Sequence, residues 1–142
     1  MIVKTINIFL LIMLAAAVNA SMYATAQADQ TQKKIIKNIT PEQGYKLIIK
    51  NTENPNFAIL DVRTAQEFEK GHIKSAINID YLSETFKDKL SELDKKNTYV
   101  IHCRSGGRST KALKLFDELG FEEVYNMGGI AQWEQSGYPT VK

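Results

Sequence analysis

Residues 98–109 read TYVIHCRSGGRS, an apolar run that leads through a glycine-rich turn into a helical pattern. The β-branched and aromatic residues of 98–102 predict a buried strand. A helix is predicted from Ser109 to Leu119, and Gly120 ends it. A strand, a short loop and a helix in this order are typical of a parallel α/β sheet, whose ligands bind beyond the carboxyl ends of the strands.

The same alternation of strand and helix continues on both sides of this unit. Further strands are predicted at residues 35–39, 57–62, 76–79 and 123–126. Further helices are predicted at residues 41–50, 65–70, 81–94 and 130–135. Crossovers between parallel strands need helix-sized connections, so the predicted fold class is α/β, a parallel sheet with helices on both faces.

Local signals define the ends and faces of three helices. Thr40 and Gln43 form one capping box, and Thr64 and Glu67 form a second. The helix predicted over residues 81–94 rests on an apolar stripe with spacings of four, four and three. We assign this stripe to the core, and its members are Leu82, Phe86, Leu90 and Leu93.

The 142 residues are 44% hydrophobic and 24% charged, a composition typical of a globular domain and not of a disordered chain. Lysine and arginine number 18 against 16 acidic residues, and the net charge of +2 does not indicate a nucleic-acid or membrane-surface partner. The single cysteine, Cys103, excludes an internal disulfide and a zinc site built from several thiolates. We expect neither a metal nor an organic cofactor.

Residues 1–28 have the pattern of a secretory signal peptide. Eleven apolar residues run from Ile8 to Val18, and as a helix they reach about 16 Å, roughly half of the ~30 Å hydrocarbon core. A cleaved signal is therefore favoured over a membrane anchor, which stays open as the alternative. The candidate cleavage sites follow Ala20, Ala26 and Ala28.

Beyond this signal the chain divides into a polar leader and a folded domain. The leader covers residues 29–34, and the domain is predicted to span residues 35–142. We expect an exported protein in an oxidising compartment, periplasmic in a Gram-negative bacterium and secreted otherwise.

The predicted loop after the central strand places a thiol where it can be ionised. Cys103 ends the strand, and Gly106 and Gly107 permit tight curvature. Ser109 can cap the helix, so that the loop amides, including that of Ser105, and the helix N-terminus point at the sulfur or at an anion. Lowering a thiol pKa by two units from about 8.5 takes about 2.7 kcal/mol of thiolate stabilisation, which several amides and a helix end can supply.

Two arginines add permanent positive charge to this loop. Arg104 and Arg108 are interpreted as anion contacts, against the alternative of solvated surface charge. For Cys103 the alternative is a buried small hydrophobe, the ordinary environment of a free cysteine. We favour catalysis because an arginine- and glycine-rich loop is not expected beside a filler residue. The predicted anion cradle around the catalytic Cys103 consists of Arg104, Ser105, Gly106, Gly107, Arg108 and Ser109.

Two residues near the preceding strand are candidates for supporting the site. Asp61 lies at a predicted strand end and could orient the site, although accepting backbone hydrogen bonds in a loop is the commoner role. Arg63 is expected to pair with Glu67 or with another acid.

The two histidines and the tryptophan are interpreted as structural. His102 and Cys103 are adjacent in a strand, so their side chains should face opposite sides of the sheet, which argues against direct general-base catalysis. His72 is expected to be hydrogen-bonded, and Trp133 is expected to pack in the core rather than to line the site. A zinc site built from Cys103 and both histidines is not favoured.

Three groups of residues form a recognisable pattern along the chain. They are DVR at 61–63 with EF at 67–68, GHI at 71–73 and AINI at 76–79; CRSGGRS at 103–109; and GGI at 128–130 with Trp133 and GYP at 137–139. In this order and spacing they resemble the single-domain rhodanese family over nearly all of the predicted mature chain. The resemblance implies an α/β domain with about five parallel strands.

The resemblance also implies a thiosulfate or persulfide sulfurtransferase. Cys103 would attack the outer sulfur of a small anionic donor, thiosulfate or a persulfide, and would become a persulfide itself. A thiophilic acceptor such as cyanide or a thiol would then take the sulfur. These are the expected substrates, with no nucleic-acid partner, no stable membrane insertion after cleavage and no protein partner that the sequence identifies.

Three other interpretations remain open. Dual-specificity phosphatases and arsenate reductases resemble this fold but place more residues between cysteine and arginine, whereas four separate Cys103 from Arg108 here. A non-catalytic rhodanese-type module could recognise a partner protein. A thiol redox sensor would use Cys103 to form mixed disulfides.

Overall fold

The computed structural model describes residues 33–142 of the chain. The strands are β1 Ile35–Asn38, β2 Phe57–Asp61, β3 Ala76–Asn78, β4 Thr98–Cys103 and β5 Glu123–Gly129. The helices are α1 Pro41–Lys50, α2 Ala65–Glu69, α3 Phe86–Ser91, α4 Gly107–Glu118 and α5 Ile130–Gln135. The predicted signal peptide, residues 1–28, and most of the polar leader lie outside the described residues. None of the helices described within 33–142 has the length and apolarity needed to cross a bilayer.

The strands form one parallel sheet in the order β1-β5-β4-β2-β3. This arrangement confirms the predicted α/β fold class. β4 occupies the centre, between β5 and β2, and its last residue is Cys103. The thiol is therefore placed at the middle of the edge where parallel α/β sheets bind their ligands.

Helices cover both faces of the sheet, as predicted. Tyr99, Ile101 and Cys103 of β4 pack on one face with side chains of α3 and α4. Val100 packs on the other face with side chains of α1 and α5. Because side chains alternate along a strand, His102 lies on the face opposite to Cys103.

Both predicted capping boxes form. The Gln43 N–H donates to Thr40 Oγ1 at 3.2 Å, and the Thr40 N–H donates to Gln43 Oε1 at 3.0 Å. The second box joins Thr64 and Glu67 in the same way, at 3.3 and 3.2 Å. Each cap satisfies amides that have no partner inside the helix, a contribution of about 1 kcal/mol. The second cap also fixes where the Glu67 carboxylate lies.

The predicted extent of the helix over residues 81–94 is wrong, because α3 is only six residues long. The Leu82 N–H donates to Asp80 Oδ1 at 2.8 Å, and the Thr85 N–H donates to Ser83 Oγ at 3.2 Å. These side chains bind the amides of a turn and compete with the helix that the apolar spacing predicts.

This turn changes the position of one residue that we assigned to the core. Leu82 is 65% exposed, whereas Phe86 and Leu90 are buried and Leu93 packs against the core from a partly buried position. The prediction that Leu82 is a core residue is therefore wrong. The prediction is correct for the other members of the stripe.

Two element boundaries lie closer to the candidate site than predicted. β5 continues to Gly129, and α4 begins at Gly107 rather than at Ser109. The connection between β4 and α4 is therefore shorter than predicted, and β5 extends alongside the end of β4.

Leu82→Ala and Leu90→Ala form a matched pair that tests the boundary of α3. Leu90 is fully buried, so its truncation should lower the free energy of unfolding by about 3 kcal/mol through lost burial and a residual cavity. Leu82→Ala should change it by less than about 0.5 kcal/mol, because the side chain is mostly in water. Urea unfolding of both variants measures the difference. Equal losses in the free energy of unfolding would indicate that Leu82 is a core residue.

Candidate active site

The loop between β4 and α4 is held by the segments on either side of it. The Val62 N–H, just after β2, donates to His102 O at 2.9 Å. The Ala131 N–H, in the first turn of α5, donates to Arg104 O at 3.3 Å. The loop therefore takes its position from the chain that follows β2 and from the chain that follows β5.

Cys103 lies at the floor of this loop and is 1% exposed. Its Sγ accepts the N–H of Gly106 at 3.1 Å. Gly106 has a φ of 102°, a left-handed conformation that glycine adopts without steric cost. The sulfur is therefore in contact with loop backbone and well covered from solvent.

Burial and hydrogen bonding act on the Cys103 thiol in opposite directions. Burial raises its pKa, because an apolar environment disfavours the thiolate. Hydrogen bonds from the Ser109 N–H and hydroxyl and from the N–H groups of Ser105 and Gly106 lower it, and together they outweigh burial. The net pKa of Cys103 lies below its ordinary value, which favours the nucleophilic form of the sulfur.

The Ser109 hydroxyl links the loop to β5. It has one proton to donate, and it lies 3.1 Å from Gly106 O and 3.2 Å from Gly128 O. It is also among the groups that lower the pKa of Cys103. The hydroxyl can thus donate its proton to one of these two carbonyls when the sulfur is a neutral thiol. When the sulfur is a thiolate, the hydroxyl can donate the proton to the sulfur.

Close approach of β5 to the loop depends on a glycine. A Cβ at Gly129 would lie 2.6 Å from Arg104 O and 2.7 Å from Ser105 Cα, distances that real side chains do not tolerate. Gly129 belongs to a motif that the resemblance singled out, but its steric role was not visible in the sequence. Any side chain here would push β5 away from the loop.

Arg108 is bound by an acid from another helix. Its Nη1 donates to Glu67 Oε2 at 2.6 Å and its Nη2 to Glu67 Oε1 at 2.8 Å. Hydrogen bonding to Arg108 lowers the pKa of Glu67 to about 2, so the carboxylate is charged at neutral pH. The sequence predicts that Arg108 contacts an anionic substrate, and this stays a prediction; within the described residues its partner is the Glu67 carboxylate. Arg104, the other loop cation, is exposed.

Arg63 pairs with Asp61 and not with Glu67. Arg63 Nη2 lies 2.7 Å from Asp61 Oδ2, and the two side chains are 8% and 0% exposed. The Arg63 N–H also donates to Asp61 Oδ1 at 2.9 Å, and Nη2 donates to Gly71 O at 2.6 Å. The buried pair fixes the turn after β2, in agreement with the backbone-binding role expected for Asp61, and neither residue contacts the Cys103 sulfur.

His102 is a buried histidine on the far side of the sheet. Its Nε2 lies 3.7 Å from Asp61 Oδ2 and has no hydrogen-bond partner in residues 33–142. Burial lowers its pKa, and the nearby Asp61 charge only partly opposes this. The ring is therefore neutral in the folded protein near neutral pH.

The remaining candidates have structural contacts. His72 Nδ1 lies 3.1 Å from Phe68 O, and the two rings stack with centroids 3.8 Å apart. Trp133 is 1% exposed, and its Nε1–H donates to Pro139 O at 3.0 Å. Among residues 33–142 no cluster of three or more potential metal ligands occurs.

This arrangement suits covalent catalysis by a thiolate. A sulfur whose ionised form is stabilised by fixed amides can attack an electrophilic atom and then hold the resulting anion in the same donors. The N–H donors need no reorganisation between these states, because they belong to the backbone of the turn and of α4.

Comparisons with known proteins agree with the fold. The model of the Rhodanese-like domain family matches residues 40–136. Thiosulfate sulfurtransferase 16, chloroplastic, of Arabidopsis thaliana is 34% identical over 92 residues, which cover 57% of this chain and 77% of that protein. Thiosulfate sulfurtransferase GlpE of Actinobacillus pleuropneumoniae is 29% identical over 102 residues, or 71% of this chain and 89% of that protein. The crystal structure of a rhodanese-related protein from Thermoplasma volcanium is similar with a TM-score of 0.61 and 30% identity, covering 74% of this chain and 97% of that one.

Ser109→Ala should raise the pKa of Cys103. The variant removes a hydroxyl that favours the thiolate but retains the backbone N–H. Ser105→Ala is the matched control, because Ser105 contributes through its N–H alone and its side chain is exposed. Titration of thiolate ultraviolet absorbance reports this group cleanly, since the chain has one cysteine. Equal pKa values of Cys103 in the two variants would show that the Ser109 hydroxyl does not stabilise the thiolate.

His102 should make the folded protein less stable as the pH falls below 6.5. Its folded pKa lies below its ordinary value of 6.5, so the unfolded chain binds a proton that the folded protein rejects. The free energy of unfolding should fall with decreasing pH, by up to about 1.4 kcal/mol per unit, until the folded pKa is reached. In His102→Gln the decline between about pH 7 and pH 5 should be shallower. Identical pH profiles from urea unfolding would show that His102 does not titrate in this way.

Proposed function

The chain belongs to the Rhodanese-like domain family, and from this we propose that it is a sulfurtransferase that carries sulfane sulfur as a persulfide on Cys103. The proposed donors are thiosulfate or a persulfide, and the proposed acceptors are cyanide or a thiol. The observation that carries the proposal is the position of Cys103 at the end of β4, where its Sγ accepts the Gly106 N–H at 3.1 Å and where hydrogen bonding from the loop lowers its pKa despite burial.

In the first step the Cys103 thiolate attacks the outer sulfur of the donor. With thiosulfate, a bond forms between Sγ and the sulfane sulfur, the sulfur–sulfur bond of thiosulfate breaks, and sulfite leaves with the electron pair. The enzyme becomes a persulfide anion. The loop amides that stabilise the thiolate are placed to stabilise this anion as well.

In the second step an acceptor restores the thiolate. Cyanide attacks the outer sulfur of the Cys103 persulfide, forms a carbon–sulfur bond and leaves as thiocyanate, while the electron pair of the sulfur–sulfur bond returns to Sγ. A thiolate acceptor reacts in the same way and leaves as a persulfide. Neither step changes the total number of electrons, so the cycle needs no redox cofactor.

The dimensions of the loop support sulfur chemistry over phosphoryl or arsenate chemistry. Four residues separate Cys103 from Arg108, and Arg108 is bound at both terminal nitrogens by Glu67. A tetrahedral oxyanion would need a wider cradle and an arginine that is free to bind it in the same bidentate way. The 1% exposure of Cys103 also favours a small donor over disulfide exchange with a bulky partner.

We also propose that the protein is exported after removal of residues 1–28. The support is the apolar run from Ile8 to Val18 described above. The mass of the protein recovered from its host reports the processed N-terminus, and a mass that retains all 142 residues would contradict cleavage.

Intact mass spectrometry tests the catalytic proposal directly. Incubation with thiosulfate should add about 32 Da, one sulfur atom, and the addition should disappear with cyanide as thiocyanate forms. Cys103→Ser is the matched control, because it keeps the size of the side chain but removes the nucleophilic sulfur. A wild-type protein that takes up no sulfur from thiosulfate or from an organic persulfide would overturn the proposal. So would sulfur uptake by Cys103→Ser.

A further inference from the structure

The positive charge of Arg108, beside the β4–α4 loop, is compensated by acids from other segments. Arg108 is held by two short hydrogen bonds to Glu67, and the two side chains are 21% and 24% exposed. The Glu67 carboxylate is itself fixed, because Oε2 accepts the Thr64 N–H and the Thr64 hydroxyl, both at 3.2 Å. The Glu67–Arg108 ion pair is therefore held in place by several hydrogen bonds and is not a chance contact between mobile side chains.

A second acid acts on the same arginine. Asp80, in the turn that follows β3, is one of the charges that stabilise the guanidinium, together with Glu67 and Cys103. Its Oδ1 accepts the Leu82 N–H at 2.8 Å, which holds the carboxylate in the turn. Both carboxylates therefore act on Arg108, whereas Arg104 is exposed, and the formal charges of these four groups sum to zero.

This cancellation works against a doubly charged donor. Thiosulfate carries two negative charges and has to approach a thiolate, so its binding depends on surplus positive charge near the sulfur. To gain the bidentate contact of Arg108, it has to displace a carboxylate that already makes the same contact. An organic persulfide, R–S–SH, carries at most one negative charge at its reacting end and needs no such displacement.

We propose that Glu67, assisted by Asp80, is a specificity-determining residue that directs the site toward organic persulfides and away from thiosulfate. The inference rests on the function proposed above and names its donor class. In the step concerned, the Cys103 thiolate bonds to the outer sulfur of R–S–SH, the sulfur–sulfur bond breaks, and R–S⁻ leaves with the electron pair. The proton stays on the transferred sulfur.

Single-turnover sulfur loading of the full chain tests this proposal. Thiosulfate and 2-hydroxyethyl persulfide, whose organic group is uncharged, are mixed with the protein without acceptor, and rapid quenching with intact mass analysis measures the loading rate against donor concentration. Wild type should load faster from the persulfide. Glu67→Gln keeps the size of the side chain but removes its charge and one of its two acceptor oxygens, and it should raise the rate constant for thiosulfate about tenfold at low concentration, chiefly through tighter binding.

Two further variants make the result specific. Glu69→Gln is the matched control, because it removes the same charge from an exposed position on the same helix, and its donor preference should stay within roughly twofold of wild type. Asp80→Asn should shift the preference toward thiosulfate by about threefold. It also keeps the inference testable if Glu67→Gln fails to fold.

The outcomes separate this inference from the proposed function. Two outcomes would leave Cys103 a sulfur carrier but contradict a role of Glu67 in donor selection. In the first, wild type loads sulfur faster from thiosulfate than from the persulfide. In the second, Glu67→Gln changes the loading rates from both donors equally. A loss of thiosulfate loading in Glu67→Gln would show that Glu67 only positions Arg108. Absence of loading from both donors in wild type would overturn the sulfurtransferase itself.

Discussion

The site depends on hydrogen bonds from fixed donors to a buried sulfur. Burial alone would make Cys103 a poor nucleophile, because it raises the pKa of the thiol. Hydrogen bonds from the N–H groups of Ser105, Gly106 and Ser109 and from the Ser109 hydroxyl reverse that effect, without a contact from a side-chain cation of residues 33–142. Because the N–H donors belong to the backbone, they are already oriented when charge appears on the sulfur or on a sulfur bound to it.

Keeping these amides in place requires the neighbouring strands. Gly129 lets β5 approach the loop to a distance that excludes any side chain, and the buried pair of Asp61 and Arg63 holds the turn on the other side. Apolar packing above and below β4 completes the support. The nucleophile is thus activated by a loop of few residues, but the geometry of that loop is imposed by most of the sheet.

Local sequence signals predicted what depends on local interactions. The capping boxes at Thr40 and Thr64, the central strand and the loop at Cys103 follow from neighbours a few residues apart, and the structure contains all of them. The helix at 81–94 failed, because apolar spacing does not register the competition of Asp80 and Ser83 for backbone amides. Arg63 was expected to pair with Glu67 or with another acid; it pairs with Asp61, and Glu67 binds Arg108, 41 residues further along the chain. Such a pair depends on the packing of α2 against the loop, which periodicity does not encode.

If the Glu67–Arg108 pair selects the donor as proposed, the loop sequence alone does not define the sulfur donor. The loop contributes the nucleophile and two cations, whereas the opposing carboxylates come from α2 and from the turn after β3. In the proposed function, activation of the thiol and selection of the donor are therefore carried by different segments. A substitution in α2 can alter the charge beside the loop without changing the amides that stabilise the Cys103 thiolate. The electrostatic potential at the site therefore has to be inferred from the loop, α2 and the turn after β3 together.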